Sequence, residues 1–154
     1  MKLAEALIIR ADLQKRIELL KQRLMKNAKV QEGESPIEDP QALLSEFDEA
    51  AEQLRDLIQR INRTNSSIAL EGQGAMMIAD AIALRDSLRL IHGTYSSLCE
   101  AAMVEMTRYS RSEIKSVPTV DVRSLRAQSD AVAVQHRELD ARIQATNWLI
   151  ELVD

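Results

Sequence analysis

Arg10 stands where a leucine would be expected. Leu3, Ala6, Leu13, Ile17, Leu20 and Leu24 step by three, four and seven residues, the spacing of one helix face, and Arg10 falls on that face. A cation in an apolar seam must be compensated. It takes a carboxylate of its own chain, leaves at the end of the bundle, or offers its N–H fork to a ligand carboxylate or phosphate. A hairpin turning about Gly33–Pro36 would set Arg10 opposite Ile58, with Asp56 or Asn62 in reach, so an acidic partner or an exit at the bundle end is expected. Asn65 and His136 hold seam positions on two further segments. Arg10, Asn65 and His136 are therefore the candidate ligand-binding residues. A polar seam residue also fixes register.

Other reactive side chains fall short of a site. His92 and Cys99 lie seven apart on one helix face, but no CxxC or HxxxH supplies further ligands, so no metal is expected. Neither histidine follows a Glu by three residues, as a carboxylate-bridged diiron bundle requires. Glu138 and Asp140 are two apart and diverge, whereas Glu138 and Arg142 have ion-pair spacing. "LEGQG" lacks the GK[ST] of a phosphate loop, and no GxSxG occurs. Arg108, Tyr109, Arg111 and Lys115 form a small basic cluster suited to a solvated connector or an anionic head group. No catalytic residue and no cofactor are expected.

The elements positioning these residues are helices. The chain of 154 residues has 45% hydrophobic and 29% charged residues, only 4 Gly and 3 Pro, and 3% aromatics. That balance suits helix packed on helix. Four helices are predicted, over about 2–29, 39–65, 77–107 and 121–153, in a single domain. Asp39 before Pro40 and Asp121 are the caps. The second seam reads Leu44, Phe47, Ala51, Leu54, Ile58, Ile61, Asn65; the third reads Ala81, Leu84, Leu88, Ile91, Tyr95, Leu98, Ala102. The fourth reads Leu125, Val132, His136, Leu139, Ile143, Ile150, Val153. The fold class is all-α, a long antiparallel four-helix bundle or pair of coiled-coil hairpins. A small β-ribbon is expected where Ile68–Leu70 can pair with the alternating residues Ile114–Pro118 of the second connector. Gly93 inside the third helix suggests close approach of a neighbour.

Two helices carry a second apolar face. On the fourth it is Ala127, Ala131, Val134, Ala141, Ala145, Trp148 and Leu152; on the third it is Ala79, Ala83, Leu90, Gly93, Ala101 and Val104. Either these helices sit centrally and touch neighbours on both sides, or the faces join subunits. Ala127, Val134, Ala141 and Trp148 are the candidate interface residues, with the single Trp as anchor.

The net charge of −4 gives no basic face for nucleic acid. Residues 1–30 carry eight Lys/Arg against three acids, and residues 31–60 carry nine acids against two arginines, which favours pairing of the first two helices. One cysteine, no signal peptide and no apolar run of ~18 residues indicate a cytoplasmic protein that does not reside in a membrane.

"MKLAEALIIRADLQKRIELLKQRL", "AIALRDSLRL", "YSRSEIK", "VDVRSLR" and "RELDARIQATNW" together resemble the septicolysin-like family of small, uncharacterised bacterial all-helical proteins, over nearly the whole chain. Arg10, Arg85, Asp86, Arg137, Asp140 and Asn147 fall in those motifs. The resemblance implies a membrane-active, cytolysin-like protein and supplies no catalytic residue. The residues themselves favour a non-enzymatic interaction or scaffold protein that self-associates into a homo-oligomer. The rivals are the membrane-active protein and a small-ligand binder or enzyme using Arg10, Asn65 and His136.

Overall fold

In the computed structural model, which describes residues 1–71, 75–103 and 116–153, the chain is all-α, with four helices among the described residues. The helices are α1 (Leu3–Lys26), α2 (Pro40–Ser67), α3 (Ile78–Ala101) and α4 (Val122–Leu149). Asp39 accepts a hydrogen bond from the Gln41 N–H at 3.0 Å, and Pro40 occupies the first turn of α2 where its missing N–H costs nothing. Asp121 likewise accepts from the Ser124 N–H at 3.1 Å and starts α4. Asn27 ends α1 earlier than expected: its side-chain amide donates to the Arg23 carbonyl at 2.9 Å and its Oδ1 accepts the Glu38 N–H at 3.1 Å. The Glu38 carboxylate is held by Arg23, whose hydrogen bond pulls its titration below the usual carboxylate range.

The chain forms two compact units. One comprises Met1–Ala69 with Gln144–Asp154, the other Leu70–Ile143. In the first, α1 and α2 run antiparallel. Leu20, Leu43 and Ala50 are at most 2% exposed and pack with Ile17, Leu24 and Phe47. Arg16 on α1 lies 3.8 Å from Glu46 on α2. The buried α2 residues are Leu43, Ala50, Leu57, Ile61 and Thr64. The seam is thus turned by about one residue from the expected one, and Leu44 is 42% exposed. The turn carries Thr64 inward beside the half-buried Asn65; the Thr64 hydroxyl donates to the Arg60 carbonyl at 2.8 Å and accepts the Val153 N–H at 2.9 Å.

Both ends of the chain meet in this unit. The Leu3 N–H donates to the Ile150 carbonyl at 3.1 Å and the Leu152 N–H to the Met1 carbonyl at 2.9 Å. This pairing pulls residues 150–152 out of helix, which is why α4 stops at Leu149. Lys2 Nζ donates to the Leu149 carbonyl at 2.8 Å and lies 2.9 Å from Glu151, satisfying a carbonyl at a helix C-terminus. The Met1 ammonium donates to Glu151 at 2.9 Å. That hydrogen bond, then the one from Lys2, holds the Glu151 carboxyl down to about 2. A depressed folded-state titration contributes stability above the ordinary carboxyl range, about 4.3, and that contribution disappears as pH falls toward 2. Glu151→Gln should therefore flatten the melting temperature between about pH 5 and 2. Parallel acid titrations of the two chains by circular dichroism check it, and identical slopes would refute it. The carboxylate is exposed, so salt should shrink the difference.

In the second unit α3 and α4 run antiparallel. Ala81, Leu70, Leu139 and Ile143 are at most 6% exposed and pack with Met76, Ile82 and Leu88. Two polar contacts set the register: Arg85 with Asp140 at 3.2 Å and the Ser96 hydroxyl with that of Ser129 at 3.2 Å. These polar groups turn inward, so the expected α3 seam is rotated and Leu84 and Leu98 are 42% and 41% exposed. Of the expected ribbon only 68–70 and 116–118 are described, and neither segment is a strand. No strand occurs among the described residues, and the Leu70 N–H donates at 2.8 Å to the Met76 carbonyl across its own turn, not to the second connector. Ile114 and Lys115 of that ribbon, the basic cluster at 108–115 and Val104 lie outside the described residues.

Gly93 has no close neighbour: a Cβ built there meets nothing within 4 Å. The expected helix approach is absent, and the glycine carries only its entropic cost. Gly93→Ala should raise stability by up to about 1 kcal/mol, or roughly 2–4 °C in melting temperature. Thermal unfolding reads this directly; an unchanged or lower midpoint would mean that the position does other work.

Candidate functional site

The three polar seam residues are partly buried, and each holds an atom with no hydrogen-bond partner: Arg10 Nε, Asn65 Oδ1 and His136 Nε2. Arg10 projects from the core face of α1, with Ala6 fully buried one turn before it and Leu13 half-buried one turn after. The expected acidic partner is not there. Asp56 is bound by Arg55 at 3.0 Å, and Asp56, Asn62, Glu49 and Glu52 of α2 are exposed. Nor does Arg10 leave at a helix end, since it sits within Leu3–Lys26. Counting along the antiparallel pair from Arg16 and Glu46, and from Met1 and Thr64 where they flank Leu152 and Val153, places Arg10 level with about residues 52–55 of α2. Asn65 then lies roughly ten residues away, ~15 Å along the helix. Arg10 and Asn65 are therefore not brought into one pocket, and His136 belongs to the other compact unit.

Within that second unit, Ser96 links His92 and Ser129. Its hydroxyl lies 3.4 Å from His92 Nδ1 and 3.2 Å from Ser129 Oγ, with Ser129 5% exposed. The Ser96–Ser129 contact ties α3 to α4, whereas the Ser96–His92 contact stays within α3. Cys99 is buried and free. Arg85 donates to Asp86 at 2.9 Å as well as to Asp140, and its hydrogen bond lowers the Asp86 carboxyl below the usual range. The Glu138–Arg142 ion pair does not form among the described residues; both side chains instead line a shallow surface depression with Leu84 and Leu88. Among the described residues no group of three or more His, Cys, Asp or Glu could hold a metal ion.

The four candidate interface residues lie on the surface. Val134 is 40% and Trp148 56% exposed, and Ala127 and Ala141 are exposed with them. Ala131 and Ala145 are exposed on the same face; only Leu152 is buried. On α3, Ala83, Leu90, Gly93 and Ala101 are exposed as well, Leu90 by 72%. A central position that buries both faces is thus not what the chain adopts. Two residues outside the candidate site sets, Asp130 and Arg137, frame the α4 face. Asp130 and Arg137 are exposed, seven residues apart on one flank, and neither makes an ion pair among the described residues. Their spacing was visible, but a lone acid and a lone base two turns apart carry no signal until the face between them is known to be open.

The fold and site define an all-α protein with half-buried polar residues held apart from one another and exposed apolar faces on α3 and α4. Residues 10–152 match the Family of unknown function (DUF6847), and the chain belongs to that family. It is 44% identical to a protein described as a functionally unknown conserved protein from Corynebacterium diphtheriae. The likeness covers 99% of this chain and 98% of that one, with a TM-score of 0.92. No curated protein matches. These findings overturn the septicolysin-like assignment: residues 10–152 match a different family, of unknown function, so the cytolysin role loses the resemblance that implied it. No helix among the described residues is long and apolar enough to cross a membrane.

Proposed function

We propose that this protein is a self-associating interaction or scaffold protein of the cytoplasm, which works by presenting helix faces and not by chemistry. The observation that carries this is the exposed second face of α4, with Val134 at its centre and Ala127, Ala131 and Ala141 around it. Contiguous apolar surface of this kind on a single chain marks an interaction site. Alanines let a second helix come close.

The occupant that the charges favour is a second copy. If two α4 helices cross antiparallel about Val134, Ala127 meets Ala141 of the second copy, and Asp130 meets Arg137 of the second copy twice over. The remaining arginines on this flank, Arg123 and Arg126, then face Gln144 and Ala141 of the second copy. A parallel pair would set Asp130 against Asp130 and Arg137 against Arg137, which like-charge repulsion disfavours. Centring the pair on Arg126 and Asp130 instead would leave Ala141 uncovered. Native mass spectrometry of the untagged protein tests the proposal. An even-numbered oligomer that persists on dilution to micromolar protein supports it. A monomer throughout that range overturns it.

A further inference from the structure

Arg10 raises a question that self-association does not answer. Its Nε–H is sealed from solvent and makes no hydrogen bond, although a buried donor on a charged group is costly to leave unpaired. The surrounding α1 residues, Ala6 and Leu13, are apolar, and so are the inward-facing α2 residues near its level, Leu54 and Leu57. The acids on that stretch of α2, Glu49, Glu52 and Asp56, point outward, and Asp56 is taken by Arg55. Arg10 is half-buried, so it is the Nε edge of its guanidinium that is turned away from solvent, with no carboxylate of its own chain directed at it.

From this we infer that Arg10 is the receptor for a small external carboxylate, bound between α1 and α2. The inner edge of the guanidinium is Nε with one neighbouring Nη, two N–H groups pointing the same way. That fork matches the two oxygens of a planar carboxylate, whereas a lysine would present a single point charge. Apolar walls strengthen the pair by excluding water, and they suit a ligand whose remainder is short and aliphatic. Asn65 is not part of the site: its unpartnered atom is an acceptor, which would repel a carboxylate, and it lies about two to three turns away along α2.

The test uses acetate, formate, phosphate and chloride at constant ionic strength on the whole chain, reading the side-chain ¹⁵N–¹H resonance of Arg10 Nε by NMR and the melting temperature by fluorimetry. The expected result is a saturable downfield shift of the Arg10 resonance with acetate and formate, with a rise in melting temperature. Arg10→Lys should weaken the response about tenfold, as expected for loss of one charge-assisted hydrogen bond. Arg10→Met should abolish it. An Arg10 resonance unmoved by carboxylates, or moved equally by chloride, overturns the site, and a response confined to phosphate overturns the carboxylate assignment. The resonance is read on the native sequence, so the outcome stands even if a variant fails to fold.

Discussion

Val134→Glu should leave the protein monomeric while its helical content stays unchanged. Val134 is 40% exposed at the middle of the outer face of α4, so a single chain accommodates the carboxylate in water at little cost. In an antiparallel pair centred on this residue, two carboxylates would meet each other across the crossing point. Like charges brought together in an interface cost several kcal/mol, which weakens association about a thousandfold or more. Asp130→Arg should weaken the pair for the same reason, by setting arginine against Arg137 of the second copy. The chain carrying both Asp130→Arg and Arg137→Asp should associate again, because the swap restores two opposite-charge contacts at the same positions. Sedimentation equilibrium on the four chains decides the matter. If the double swap stays as weak as Asp130→Arg alone, the antiparallel register is wrong. If Val134→Glu associates like the native chain, the face is not an interface at all.

Leu43→Ala should cost about 2–5 kcal/mol of folding stability, whereas Leu44→Ala should cost well under 1 kcal/mol. The two leucines are adjacent and identical in type, so the comparison isolates position. Leu43 is 2% exposed and packs with Leu20 and Ala50; truncation leaves a cavity between α1 and α2 that rigid helices cannot close. Leu44 is 42% exposed, so its truncation removes surface that was largely wet already. Urea unfolding with equal slopes measures both. Equal losses, or a larger loss for Leu44, would show that α2 is rotated from the orientation described above.

That rotation shows where sequence reasoning runs out. Heptad spacing reports that α2 has an apolar face. It cannot choose among neighbouring candidates when they come in pairs: Leu43 and Leu44, Ala50 and Ala51, Leu57 and Ile58. The choice is made by what lies opposite, and here the inner set also brings Thr64 to the Val153 N–H. On α3 the same limit appears in another form. Arg85 and Ser96 look like surface residues until Asp140 and Ser129 of α4 arrive to satisfy them. Partners 55 and 33 residues away leave no local trace.

Arg10 divides along the same line. Its place on the core face of α1 follows from the 3–4 spacing of Leu3, Ala6 and Leu13, because helix periodicity is a local property. Its lack of a carboxylate does not follow, because that depends on which way Glu49, Glu52 and Asp56 are turned once α2 is docked. The four helices of an all-α chain, the caps at Asp39 and Asp121 and the second apolar face of α4 are legible in the residues because all of them rest on contacts within a few positions. Helix docking sets which face of each helix is buried, leaves the face around Val134 open, and leaves Arg10 Nε without a partner. Those outcomes depend on long-range packing, where a turn of one residue moves a side chain by about 100° around the helix axis.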